Sequence, residues 1–240
     1  TDRIQPNYRT ARRSCSGTEG IENMHNVTEK KNGVCYITGK KIDLNALELL
    51  YSAEFSESSD LDDFEVTGGE WRVEDGWLIG SINEDRGGLI YSNRSFDCDV
   101  IIDFEAMAIP PCDNDLNFTW HADGWNYEKN DASRGYIAGL GGWWLNRAGI
   151  EKYPDFKLYC STGSYPLKSG KIYRITAGSI EGHCFIYADG ELIVEVTDPE
   201  YKTLLPYGRV GFGTYASAIK FRNLKVYRAG FETVRFKYLG

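Results

Sequence analysis

Beyond residue 50 the chain is a series of short runs in which apolar and polar side chains alternate, each broken by Gly, Pro, Asn or Asp. Alternation with a period of two puts one set of side chains on each face of a strand, so each run predicts a strand with one face buried. The clearest run is HCFIYADGELIVEV at residues 183–196, which alternates on both sides of Asp189-Gly190, a dipeptide suited to a two-residue hairpin turn. A second hairpin is predicted where Trp71, Val73, Trp77 and Ile79 flank Glu74-Asp75-Gly76. Further strands are expected at residues 34–38, 87–92, 99–108, 156–160, 172–177, 209–214 and 219–227, with Pro110-Pro111 stopping the third of these. Residues 44–51 (LNALELLY) fit a short helix and an entering strand equally well. Short strands at this spacing, with little helix and no internal repeat, predict an all-β fold: a jelly-roll sandwich of two antiparallel sheets.

Composition agrees. The 240 residues include 16 Tyr, 11 Phe, 6 Trp and 26 Gly but only 2 Met, which favours strands and turns. That length is within reach of one all-β domain. Residues 1–45 are polar, basic at first and weakly patterned, so they are expected to be an N-terminal arm packing on the main domain. Residues 46–229 would form the sandwich and residues 230–240 a C-terminal tail. A net charge of −8 and a pI near 5.0 disfavour nucleic acid and anionic membrane surfaces as partners. No run of 18 apolar residues is present, and the first residues lack an apolar signal core, so a cytoplasmic location is expected. The 6 cysteines show no C-x-x-C and no zinc-type spacing, and free thiols are expected.

Candidate chemistry is concentrated in residues 116–152, which hold four of the 6 tryptophans, one of the 3 histidines and six glycines. Flat aromatic faces beside side-chain-free backbone suit the apolar face of a sugar ring, while neighbouring polar groups read its hydroxyls. Alternation sends Val100, Ile102, Phe104 and Ala106 to the core and leaves Glu105 on the opposite face. It likewise turns Leu116, Phe118 and Trp120 inward and leaves Asn117 and His121 opposite. If these strands are neighbours, Glu105, Asn117 and His121 form a polar patch over a floor of Gly139 and Gly141, walled by Trp125 and by either Trp143 or Trp144, which point to opposite faces of a strand. Glu105 and His121 would then be a general acid/base couple, with Arg134 and Lys157 as binding groups. The plainer alternative is that these polar residues only face water. Asp113, Asp115, Asp123 and Asp131 are candidate calcium ligands in loops, in no EF-hand spacing.

The C-terminal third supplies a resemblance. Tyr173 to Ile175, Asp189-Gly190, Gly208 to Phe212 and Phe221 to Val226 resemble the end of concanavalin A-like (laminin-G-like) jelly rolls. Within that superfamily the chain is similar to the YesU-like bacterial proteins, on FSESSDLDDFEVTGGEWRVEDGWLIGS at residues 55–81, YIAGLGGWWLNRAGIEK at residues 136–152 and the ending just named. The resemblance spans roughly residues 50–229 and implies a setting of glycoside or plant-polysaccharide breakdown. Many glycosidases of this fold carry E-x-D-x-E or E-x-D-x-x-E on one strand; here only Asp103-Phe104-Glu105 comes near, so conventional paired-carboxylate hydrolysis is not expected. Three readings follow. One is an unconventional hydrolase or lyase acting on a glycoside or keto-glycoside. Another is a non-catalytic carbohydrate-binding subunit, and the third is a homo-oligomer joined through Trp143 and Trp144.

Overall fold

The computed structural model describes residues 33–143 and 145–235. Eighteen strands follow in chain order: β1 (Val34–Ile37), β2 (Lys40–Asp43), β3 (Leu49–Ala53), β4 (Phe64–Val66), β5 (Glu70–Glu74), β6 (Trp77–Ser81), β7 (Gly87–Ser92), β8 (Val100–Ala108), β9 (Leu116–Asn126), β10 (Asp131–Gly142), β11 (Arg147–Tyr153), β12 (Lys157–Thr162), β13 (Tyr173–Ile180), β14 (His183–Ala188), β15 (Glu191–Thr197), β16 (Arg209–Tyr215), β17 (Ala218–Arg228) and β18 (Glu232–Thr233). Both predicted hairpins form. Asp75 and Asp189 have φ of 51° and 54°, and the glycine after each also has positive φ, as a tight two-residue turn requires. The ambiguous segment at 44–51 contains both elements, a 3-10 turn at Leu44–Ala46 followed by β3.

The strands form a jelly-roll sandwich of two antiparallel sheets. A front sheet runs β12-β11-β10-β9-β16-β7-β4, and a back sheet runs β15-β14-β13-β8-β17-β6-β5 with β3 pairing on β17. Between them lie the inward residues of both, including Phe104 and Phe221 from the back sheet and Phe118, Tyr136, Ile150 and Phe212 from the front. Phe212 and Phe221 stack across the gap at 4.1 Å between ring centroids, so the facing aromatics hold the layers in register. A small sheet, β1-β2-β18, joins the end of the predicted arm to the start of the predicted tail. Cys35, Ile37 and Ile42 from it pack on Ile101, Phe185 and Tyr187 of the back sheet. Residues 1–32, with Cys15 and His25, lie outside the described residues. The other five cysteines are free thiols.

Two expectations need correction. First, β8 and β9 are not neighbours: β8 sits between β13 and β17 in the back sheet, and β9 between β10 and β16 in the front. The connection 109–115 contains Pro110-Pro111, which cannot extend a ladder, and it carries the chain across the sandwich. Second, simple alternation fails in β9. Against β16, Thr119 pairs with Gly211 but Ala122 pairs with Arg209, so Trp120 and His121 together oppose Val210. This is a β-bulge, and His121 absorbs it with φ of 55°. Beyond the bulge Ala122, rather than His121, packs on the outer face with Leu89, Tyr91 and Ile137.

Candidate functional site

A cleft of about 650 Å³ opens on the outer face of the front sheet, within the usual size of small-molecule sites. Its floor follows from alternation: with Ile90, Phe118, Ala138, Ile150 and Phe212 turned to the core, Leu89, Asn117, Ile137 and Glu151 face the cleft. Trp125 and Tyr153 meet edge to face at 6.4 Å, and Tyr153 meets Phe156 in the same way at 6.1 Å, which makes one aromatic wall. Trp143, with φ of 55° just past the end of β10, supplies the facing wall.

Glu151 lies between these walls and is only 8% exposed. Its carboxylate accepts from Trp143 Nε1 at 2.9 Å and from Tyr153 Oη at 3.2 Å. Burial pushes the Glu151 pKa up to about 7, against the lowering effect of those two donors. Asp115, at the cleft end of β9, is also raised by burial, while the amides of Asn114 and Asn117 hold its charged form. Two donors close to the cleft have no hydrogen-bond partner among the described residues: Trp125 Nε1, on the wall, and Tyr91 Oη, in the apolar cluster with Trp125 and Tyr153.

The glycines serve the cleft differently from the expected bare floor. A Cβ on Gly139 would strike the Asn117 carboxamide, so that glycine leaves room for the Asn117 side chain. A Cβ on Gly141 would point away at Leu167, 2.6 Å off. Gly87 and Gly149 were not singled out in the sequence, yet they seat the two tryptophans. An added Cβ would stand 2.6 Å from Trp125 at Gly87 and 3.0 Å from Trp143 at Gly149.

Of the residues singled out from the sequence, Asn117, Trp125, Gly141 and Trp143 line the cleft, and Gly139 supports it. Trp144 lies outside the described residues. His121 and Glu105 are not brought together. His121 is 3% exposed between the sheets, bonded through Nε2 to Ser179 Oγ at 2.9 Å and Asp99 at 3.1 Å. Glu105 is on the back sheet, paired with Arg222 at 2.6 Å. Arg134 holds Asp123 at 3.2 Å and the carbonyls of Leu204 and Pro206, so it straps a loop rather than facing the cleft. Lys157 pairs with Glu200 at 3.2 Å on the exposed edge strand β12. Glu151 and Tyr153 are absent from the residues expected from the sequence, yet alternation in β11, the strand that follows β10, marks them. Carried into RAGIEKY, it turns Ala148 and Ile150 inward and leaves Glu151 and Tyr153 opposite. The next residue, Lys152, forms a buried pair with Asp198 at 2.7 Å. Among the described residues, no three of His, Cys, Asp and Glu are grouped to hold a metal ion, so the calcium expected from the loop aspartates has no assigned site.

No family model matches the chain, and neither does any curated protein. Solved structures do match in fold. A Bacillus subtilis protein of unknown function with a galectin-like fold superposes with a TM-score of 0.63 at 18% identity, over 75% of this chain and 96% of its own. The carbohydrate-binding module CBM66 from Bacillus subtilis gives 0.57 at 16% identity, over 69% of this chain and 95% of its own. The exoplasmic/lumenal domain of VIP36, in its Ca2+/Man3GlcNAc-bound form, gives 0.59 at 10% identity, over 78% of this chain and 92% of its own. At these identities the likeness is one of fold, and the fold is that of the lectin-like jelly rolls.

Proposed function

We propose that the front-sheet cleft binds a saccharide. The observation that carries this reading is the geometry around Glu151: Trp125 and Tyr153 on one side and Trp143 on the other flank a buried carboxylate in a space of sugar size. Aromatic faces take the C–H side of a pyranose, while Glu151, Asn117 and the unpaired Trp125 Nε1 offer acceptors and donors to hydroxyls. Carbohydrate-binding domains among the solved structures of the same fold support the reading, as does the resemblance to YesU-like proteins, whose setting is glycoside breakdown.

The test is calorimetric titration with a panel of neutral oligosaccharides, on the native protein and on Trp125→Ala and Trp143→Ala. Saturable binding that each substitution weakens by about tenfold or more is the expected result. Absence of binding across the panel, or binding indifferent to both substitutions, overturns the proposal.

One observation favours a second reading, turnover of the bound glycoside by a hydrolase or lyase step. A buried carboxyl whose pKa is pushed up to about 7 is protonated in about half of the molecules at neutral pH and is suited to donate that proton to a glycosidic oxygen. In this reading the acid is Glu151, a residue of the cleft itself. Product formation from glycosides and keto-glycosides, followed by mass spectrometry and lost in Glu151→Gln, is its expected signature. A Glu151→Gln protein that retains full turnover removes it.

A further inference from the structure

We propose that the cleft selects a saccharide bearing a free, protonated amine. This rests on the proposed sugar-binding role and names the charge class of the ligand. Four carboxylates line the cleft, Asp85, Asp113, Asp115 and Glu151, and no Lys, Arg or His does so among the described residues. Three carboxylates are buried among the described residues, and two of them meet a cation: Asp103 pairs with Arg174 at 3.0 Å, and Asp198 with Lys152 at 2.7 Å. Glu151, the third, meets only an indole N–H and a phenol O–H. Asp115 beside it is held by two carboxamides, and its charge reinforces the upward shift of Glu151.

A buried carboxylate without a counter-charge either takes up a proton or finds a cation. The raised value at Glu151 is the first outcome in the unliganded protein; an ammonium in the cleft supplies the second. The walls fit the same ligand, because ammonium groups sit favourably against the faces of Trp and Tyr. A carboxylate between aromatic rings thus recognises both halves of an amino sugar, the C–H face and the charged amine. The same field opposes a uronic acid, whose carboxylate would join four others.

The test uses β-1,4-linked oligomers of equal length that differ at one substituent: glucosamine, N-acetylglucosamine and glucose. Galacturonic acid oligomers are the anionic control. Titrations use the full chain, with and without EDTA. The expected result is that glucosamine oligomers bind at least about tenfold tighter than glucose oligomers, with galacturonate weakest. Glu151→Gln keeps an acceptor for Trp143 but removes the charge, so it is expected to bring the ratio of glucosamine-oligomer to glucose-oligomer affinity to about one. Asp115→Asn is expected to reduce the preference in the same direction. Equal or stronger binding of the neutral oligomers overturns the inference and leaves saccharide binding intact. Binding lost in EDTA also overturns it, because a metal ion then meets the acidic charge. Failure of every oligomer, neutral ones included, removes both the inference and the reading beneath it.

Discussion

Trp143 donates its indole N–H to the carboxylate of Glu151 at 2.9 Å, so one aromatic wall of the cleft also fixes the buried acid at its base. Both residues come from the β10–β11 hairpin, eight positions apart, and Gly149 leaves the space in which the Trp143 ring lies. The hairpin therefore provides the wall and the charged group as one unit.

This bond holds the Glu151 pKa down against burial, so removing it has a definite sign. Trp143→Phe keeps an aromatic ring but deletes the donor, and the titration midpoint of Glu151 is expected to rise above about 7. Carbon-13 NMR of the labelled carboxyl reads the midpoint directly. A midpoint that stays put or falls contradicts the role given to the indole.

The same carboxyl sets a pH dependence of stability. Its folded pKa of about 7 lies above its ordinary value of 4.5, so the folded state binds the proton more tightly. Its contribution is therefore fully present below pH 4.5 and is lost as pH rises through 7. Urea unfolding at pH 5 and pH 8 is expected to show Glu151→Gln gaining on the native protein by about 3 kcal/mol, an order-of-magnitude figure. A difference between the two proteins that does not change with pH excludes this linkage.

Gly87→Ala tests how Trp125 is seated. The new methyl carbon would stand 2.6 Å from the Trp125 ring, so the ring must move or the strand must shift. A stability loss of roughly 1–3 kcal/mol is expected, with altered tryptophan fluorescence and weakened saccharide binding. Unchanged fluorescence and affinity indicate that the ring is not held there.

Glu105 and His121, paired in the sequence reading, separate from the cleft by measurement as well. Glu105→Gln breaks a partly exposed pair with Arg222 and is expected to cost about 0–1 kcal/mol with saccharide affinity unchanged. His121→Ala takes one partner from Ser179 and one from Asp99, which keep each other, Trp120 Nε1 and the Glu181 N–H, and it empties a buried ring's space. It is expected to cost about 1–3 kcal/mol, again without a change in affinity. Loss of binding in either protein, with its fold intact by circular dichroism, brings that residue back to the ligand.

Periodicity of two, the Asp-Gly turns and the scarcity of helix signals were enough to determine a two-sheet antiparallel sandwich, because they report local backbone geometry and the need to bury one face of each strand. Of the run from Leu116 to Lys152, Asn117, Trp125, Gly141 and Trp143 line the cleft. What the sequence left undetermined depends on partners far away in the chain. Whether β8 lies beside β9 is set by which sheet each enters after residues 109–115, a non-local choice. The turn of His121 toward Ser179 depends on a bulge opposite Val210, and one extra residue reverses the side on which a side chain falls. The acid of the cleft is Glu151 for the same reason: only the pairing of β11 with β10 and the burial beneath Trp143 distinguish it from the chain's other carboxylates.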